Sequence, residues 1–251
     1  MNLVYRVLPL ARADLLHFRI RHKETDLCIQ CSASFEREAE SLVIEARLAI
    51  EEYIRRVPEF LHARSPMVLD EFAPEIVREM MEAAEIAGVG PMASVAGAIA
   101  QYVARGLLKR GAKEVVCENG GDCYVDCRSA CTVGIWAGTS PFSGKIGLTI
   151  QAHSGIHGVC TSSGSIGHSL SLGSADAVTI VAESAAIADA VATRIGNIVR
   201  GPATMERALA HIEAIEHVRG GVVIVGERMG VVGQVELAPI SANGTLTVVN
   251  K

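Results

Sequence analysis

The sequence predicts an α+β layered fold, and three observations carry that prediction. Helical periodicity dominates residues 34–110, strand-like segments dominate 113–237, and the connections between them are short. Grouped helices followed by grouped strands point to packed layers rather than to an alternating parallel sheet.

Taken in order, residues 16–31 read as a hairpin. Phe18 and Ile20 alternate with Arg19 and Arg21, Lys23-Glu24-Thr25-Asp26 turns, and Leu27 to Cys31 returns. A helix follows over about 34–54, where Leu42, Ala46, Ala49 and Tyr53 keep helical spacing and Arg37, Glu40, Arg47, Glu51 and Arg55 face water. Pro58 and Pro66 punctuate a connector. A second helix carries Pro74 in its first turn, where a missing N–H is tolerated, and runs to Ala87 before Gly88-Val89-Gly90-Pro91 breaks it. A third, nearly uncharged helix spans about 92–110. Ala93, Ala96, Gly97, Ala98 and Ala100 make one of its sides very small, which suits tight helix packing, close approach of a ligand, or self-association into a homo-oligomer. Gly111 caps it.

The strand candidates are 113–118, 122–128, 132–137, 145–150, 176–182, 221–226 and 229–237, with helices at 184–199 and 203–213. The order helix–strand–strand recurs over 92–128 and 184–237, which allows an ancient duplication. A single domain over 1–251 is expected, with a helix-rich half at 1–111 and a strand-rich half at 112–251.

Composition bounds the function. The chain has 251 residues, 49% hydrophobic and 20% charged, with a net charge of −5. That length can bury a full core, and the apolar content excludes disorder. No basic face argues for nucleic acid, and aromatics at 4% leave few stacking platforms. No stretch reaches the roughly 20 apolar residues of a membrane span. Arg6, Arg12, Asp14 and Arg19 interrupt the first twenty residues, so no export signal is read and a cytoplasmic location is expected. Seven cysteines, an odd number, argue against a secreted disulfide framework.

Three segments could carry chemistry. Glu118-Asn119-Gly120-Gly121-Asp122 follows a strand, and its glycines permit close approach to a phosphate or a ring edge. An ordinary hairpin turn explains the same residues. The run 158–169, from Gly158 through Cys160, Thr161, Ser162, Ser163 and Gly164 to His168 and Ser169, offers many hydroxyls with little bulk. It matches neither a Walker loop nor a nucleophile elbow, and it also reads as a flexible polar loop. In the helix at 185–193, Asp189 and Thr193 lie four apart on one face. Asp189 is a lone carboxylate in an apolar stretch, and burying it unpaired would be expensive. It needs a cation, an arginine such as Arg194, or hydrogen-bond donors. A carboxylate with a hydroxyl suits a hard ion such as Mg²⁺.

Together these segments resemble the ApbE superfamily, the FAD:protein FMN transferases, over about residues 90–197. The small-residue helix, Lys109-Arg110-Gly111-Ala112, a strand and Gly120-Gly121-Asp122 resemble that family's helix–strand–Gly-Gly-Asp passage. Val159-Cys160-Thr161-Ser162-Ser163-Gly164 is similar to its Thr-Ser-Gly loop. Val178 to Ala182, leading into Ala188-Asp189-Ala190-Val191-Ala192-Thr193, is similar to its strand and Ala-Asp-Ala-x-Ala-Thr helix.

The resemblance implies a layered fold of mostly antiparallel sheet with packed helices, and a small-molecule nucleotide as partner. It implies Mg²⁺ on Asp189 and Thr193. Gly120, Gly121, Asp122, Thr161, Ser162, Ser163 and Gly164 would line a site for FAD. The implied reaction is attack of an acceptor hydroxyl on the FMN phosphorus with AMP leaving, or hydrolysis of FAD. His168, ahead of His153 and His157, is the candidate for proton transfer. Two departures stand out. The family's His-x-x-Asp-Pro-x-Thr-Gly stretch is represented at 167–174 by a histidine without the Asp-Pro-x-Thr-Gly part, and Ala100-Gln101-Tyr102 lacks the family's helix lysine. A scaffold that kept the fold and lost the chemistry is the alternative these departures raise.

The cysteines suggest a rival. Cys117, Cys123, Cys127 and Cys131 bracket and follow the Gly-Gly-Asp turn, the last three at intervals of four. They could hold a metal, relay sulfur, act in redox chemistry, or be buried free thiols. In strands, Cys123 and Cys127 share a face and Cys131 is left unplaced. Cys28-x-x-Cys31 resembles a redox pair, but on one strand its two side chains face opposite sides.

Overall fold

The computed structural model describes residues 7–9, 12, 14–155, 157–163 and 173–240. The chain opens with β1 (Val7–Pro9), then the hairpin β2 (Leu16–His22) and β3 (Thr25–Cys31). Helix α1 (Glu36–Arg56) buries Leu42, Ala46, Ile50 and Tyr53 at helical spacing. A short α2 (Glu59–His62) precedes α3 (Glu75–Ala87). A 3-10 turn (Pro91–Ser94) leads into α4 (Val95–Lys109). Then follow β4 (Val115–Asn119), β5 (Asp122–Asp126), β6 (Cys131–Ile135), β7 (Ile146–Ile150), β8 (Gly158–Ser162) and β9 (Ala177–Ala182). Helices α5 (Ala185–Ile198) and α6 (Met205–Glu213) precede β10 (Val218–Val225), β11 (Arg228–Gly233) and β12 (Glu236–Pro239).

Eight strands form one sheet in the order β2-β3-β4-β5-β8-β9-β10-β11, every pair antiparallel. The order follows the chain, with β6 and β7 leaving to join β1 and β12 in a second antiparallel sheet. Side chains alternate across a strand, so each face of the large sheet builds its own core. Val115, Cys117, Tyr124, Cys160 and Ile180 join the helices in one apolar cluster. Val116, Cys123, Val125, Val159 and Val181 meet Val133, Ile135, Leu148 and Ile150 of the small sheet in the other. The molecule is therefore α+β in three layers: helices, large sheet, small sheet. The large sheet draws strands from both sides of residue 111, and two hairpins flanking helices occur twice, β2-β3 with β4-β5 and β8-β9 with β10-β11.

Several elements differ from the sequence expectation. Part of the polar run 158–169 is a buried strand, β8, because its hydroxyls find partners inside: the Thr161 and Thr179 hydroxyls are 2.7 Å apart. The expected strand 229–237 is two strands in different sheets, divided at residues 234 and 235. Strand β1 and helix α2 have no counterpart in the expectation. Pro74 stands at the N-cap of α3 with ψ 149°, one position before the first turn. The small face of α4 is used within the chain. A Cβ on Gly97 would lie 2.3 Å from the Ala185 carbonyl oxygen of α5.

Candidate functional site

Gly120 and Gly121 turn the chain between β4 and β5 with φ of +63° and +109°. Two successive positive φ values make the tight hairpin turn that glycine and asparagine favour. Nothing stands within 4 Å of a Cβ built on Gly120, so conformation rather than space calls for glycine there. Three bonds tie this turn down. Gly121 N–H donates to the Glu118 carboxylate at 2.6 Å, Asn119 Nδ2 donates to the Ala96 carbonyl at 3.0 Å, and Thr161 N–H donates to the Gly121 carbonyl at 3.2 Å. The second of these reaches the first turn of α4. One residue on, Gly97 N–H donates to Asp189 Oδ2 at 2.9 Å, joining α4 to α5.

Alternation along the strands puts Asn119, Asp122 and Ser162 on the helix side of the sheet, with Cys117, Tyr124 and Cys160. Asp122 and Cys160 are opposite each other across β5 and β8. The Cys160 thiol donates to the Ala185 carbonyl at 3.3 Å and is pushed up first by burial, then by Asp122 and by Asp189. Both carboxylates thus act on one thiol. Asp122 is 7% exposed and Asp189 8% exposed. The Gly120–Asp122 turn, the end of β8 and the Asp189 turn of α5 meet beneath the N-terminus of α4.

Two residues support this meeting from behind, and the sequence reading named both without giving either a role. Gln101 lies in the helix where the ApbE resemblance leads one to expect a lysine. Its Oε1 accepts from Ala185 N–H and Ser184 Oγ, each at 2.9 Å, while Nε2 donates to Glu79 at 2.9 Å. Ser184 in turn caps α5 through Ile187 N–H. Glu118, wholly buried on the opposite face from Asp122, is pushed up to about 8 by burial. The Gly121 bond works against that shift and Asp122 adds to it. A polar side chain inside an otherwise apolar helix or strand was the available signal for both.

The remaining site candidates fall as follows. Thr161, Ser162 and Ser163 are buried, and Thr193 is half-buried one turn beyond Asp189. Gly164 and His168 lie outside the described residues, which resume at Gly173 against the Gly196 carbonyl of α5. His157 precedes β8. Its Nδ1 is 2.9 Å from the Val125 carbonyl and its ring stacks on Tyr124 at 5.3 Å. It stands roughly 16 Å along the strand from Ser162, and exposed His153 lies nearby in the same cavity lining. The four cysteines do not form one cluster: Cys117 faces the helices, whereas Cys123, Cys127 and Cys131 face the small sheet. Cys31 points to the helix side, and half-buried Cys28 lies beside Glu118.

Among the described residues no group of three or more His, Cys, Asp or Glu side chains is placed to hold a metal ion. The donor set at α5 is smaller, one buried carboxylate with a hydroxyl a turn away. That set fits Mg²⁺, which commonly takes one or two carboxylates and completes its shell with water and substrate phosphates. No single helix among the described residues is long and apolar enough to cross a membrane.

Comparison with known proteins adds to this geometry. A family model described as AbpE bacteria matches residues 8–221. A UPF0280 protein of Methanocaldococcus jannaschii is 41% identical over 223 residues, covering 86% of this chain and 90% of the relative. Another, from Methanothermobacter thermautotrophicus, is 45% identical over 197 residues, covering 77% and 76%. Among solved structures, the apo flavinyl transferase ApbE of Pseudomonas stutzeri aligns with a TM-score of 0.56 at 14% identity, covering 87% of this chain and 94% of that one. The ApbE protein of Thermotoga maritima aligns at 0.55 and 12% identity, covering 86% and 96%.

Proposed function

The chain belongs to the family described as AbpE bacteria, and on that footing we propose that it binds a flavin nucleotide with Mg²⁺ and acts on FAD, as an FMN transferase or as a hydrolase releasing FMN and AMP. The observation that supports this reading is a chain of contacts: Asp122 lies opposite Cys160 across β5 and β8, the Cys160 thiol donates to the Ala185 carbonyl one turn before Asp189, and Asp189 accepts from Gly97 N–H at the start of α4. It brings the Gly-Gly-Asp turn and the Asp189 helix to one oxygen-rich place. The aligned Pseudomonas stutzeri protein is a flavinyl transferase, which supports the same substrate class.

Asp189 and Thr193 would hold the ion. When bound, it supplies charge to offset the pyrophosphate and the departing AMP. This chain's own residues do the positioning. Gln101 and Ser184 hold the first turn of α5 and so orient Asp189. Asn119 fixes the Gly120–Gly121 turn against α4. Ser162 and Ser163 bring hydroxyls that can donate to phosphate oxygens. His168 is assigned the proton of the acceptor hydroxyl.

The test is FAD titration by flavin fluorescence with and without Mg²⁺, with product analysis for FMN and AMP. Binding is expected to depend on Mg²⁺, and Asp189→Asn is expected to weaken it at least about tenfold, the loss of one charge-assisted contact. Equal FAD affinity with and without Mg²⁺, or an unchanged Asp189→Asn protein, overturns the proposal. Binding without turnover favours the scaffold reading.

A further inference from the structure

We propose that Cys127 and Cys131 form a redox-active dithiol at the corner between the two sheets, closed to a disulfide by an oxidant of the peroxide class. This goes beyond flavin binding and does not depend on it.

The geometry is local. Cys127 directly follows β5 of the large sheet and Cys131 opens β6 of the small one. The three residues between them, 128–130, are exposed, yet both cysteines turn into the core between the sheets. Their thiols share a hydrogen bond. Arg12 hydrogen-bonds Cys127 and is itself held in place. Its guanidinium donates to Glu114 at 2.6 Å and pairs with Asp14, and its backbone N–H donates to Gln30 Oε1 at 3.2 Å. The Arg128 N–H donates to the same Glu114 carboxylate at 2.9 Å, so the turn and the arginine share an anchor. A cavity of about 320 Å³, lined by Cys127 with Asp126, Ile150, Gln151 and His157, gives a small oxidant a way in.

Charge separates the roles of the two sulfurs. The hydrogen bond from Cys131 holds the Cys127 thiol below its ordinary range, and Arg12 acts in the same direction against burial and Glu114. The same bond raises Cys131, and burial adds to it. Access agrees with this: Cys127 lines the cavity and Cys131 does not, so Cys127 is the attacking thiolate and Cys131 the resolving thiol. The wholly buried Cys117, Cys123 and Cys160 are all pushed up by burial, which keeps them protonated and inert.

The chemistry balances in two steps. The Cys127 thiolate attacks one peroxide oxygen, the O–O bond breaks, and Cys127 becomes a sulfenic acid. The hydroxide released takes the proton that Cys127 gave to solvent. The Cys131 sulfur then attacks the sulfenic sulfur, the S–O bond breaks, and the hydroxyl leaves as water with the Cys131 proton. Two thiols are oxidised and one peroxide becomes two waters.

Reduced protein treated with one equivalent of hydrogen peroxide tests this. Trypsin cuts after Arg128 and so parts the two cysteines, and a disulfide then appears as a linked peptide pair that a dithiol reductant separates. The linked pair is expected in the native protein and absent from Cys127→Ser and Cys131→Ser. In Cys131→Ser, dimedone should trap the sulfenic acid on Cys127. Arg12→Gln should slow Cys127 oxidation, because Arg12 favours the thiolate. Retained thermal melting of each variant guards against misfolding. Linkage of Cys131 to Cys117 or Cys123, seven free thiols after peroxide, or absence of dimedone on Cys127 in Cys131→Ser overturns the proposal.

Discussion

Gly97 shows how little freedom the centre of this molecule has. A methyl group there would meet the backbone oxygen of Ala185 at 2.3 Å and the Asp189 Cβ at 2.9 Å. Alanine gains roughly 1 kcal/mol over glycine in a free helix, but a carbonyl oxygen cannot rotate away, so the clash decides the sign. Gly97→Ala is expected to destabilise by about 2–3 kcal/mol in urea unfolding and to weaken any Mg²⁺-dependent ligand through Asp189. Glu118 gives a pH signature. Its folded value, about 8, lies above the ordinary 4.5, so the fold binds its proton more tightly than the open chain does. The stabilisation is fully present below about pH 4.5 and is lost as pH rises through 8. Glu118→Gln should flatten that decline by an amount of order 4 kcal/mol between pH 5 and 8, measured by urea titrations across the range. At this scale the sequence was partly legible. Asp189 announced a buried partner by standing alone among alanines, but one partner it takes is a backbone N–H of another helix, which no side-chain pattern reports.

Among the elements, α5 depends on a neighbour for its first turn. Ser184 supplies the usual cap, while Gln101 of α4 accepts from both Ser184 and Ala185. Losing the serine hydroxyl costs about 1 kcal/mol. Losing the glutamine amide strands the buried Ala185 N–H, which costs about 1–3 kcal/mol, and also removes the bonds to Ser184 and to half-buried Glu79, which keeps Arg105. Gln101→Ala should therefore lower the thermal midpoint more than Ser184→Ala does, and the reverse order would refute this account of the cap. Strand β8 explains one miss. Val159 and Thr161 share one face, and Cys160 and Ser162 share the other. Neither face is uniformly apolar, so the period-two signal vanishes, and the Thr161–Thr179 pairing makes the Thr161 hydroxyl burial-compatible. Helices α1, α3 and α5 carried regular apolar stripes and were legible to within a few residues.

At the scale of the whole molecule, the large sheet keeps chain order, so grouping helices early and strands late was enough to read a layered α+β class but not which strands join which sheet. The excursion of β6 and β7 into a second sheet leaves no local mark beyond the corner at Cys127–Cys131. β5 and β8 pair over only three positions, Asp122 with Cys160 through Tyr124 with Gly158, whereas β2 and β3 pair along seven. Hydrogen exchange in the presence of FAD and Mg²⁺ should slow most at Asp122–Tyr124 and Gly158–Cys160, and slowing confined to the outer strands would contradict the placement of the ligand. That short seam has a further consequence. The glycine turn and α4 come from one side of it, the hydroxyls and Asp189 from the other, so neither portion of the chain owns a complete set of groups. A molecule lodged between them would rivet the sheet at its narrowest join, and occupancy would be felt as mechanical cohesion of the entire body.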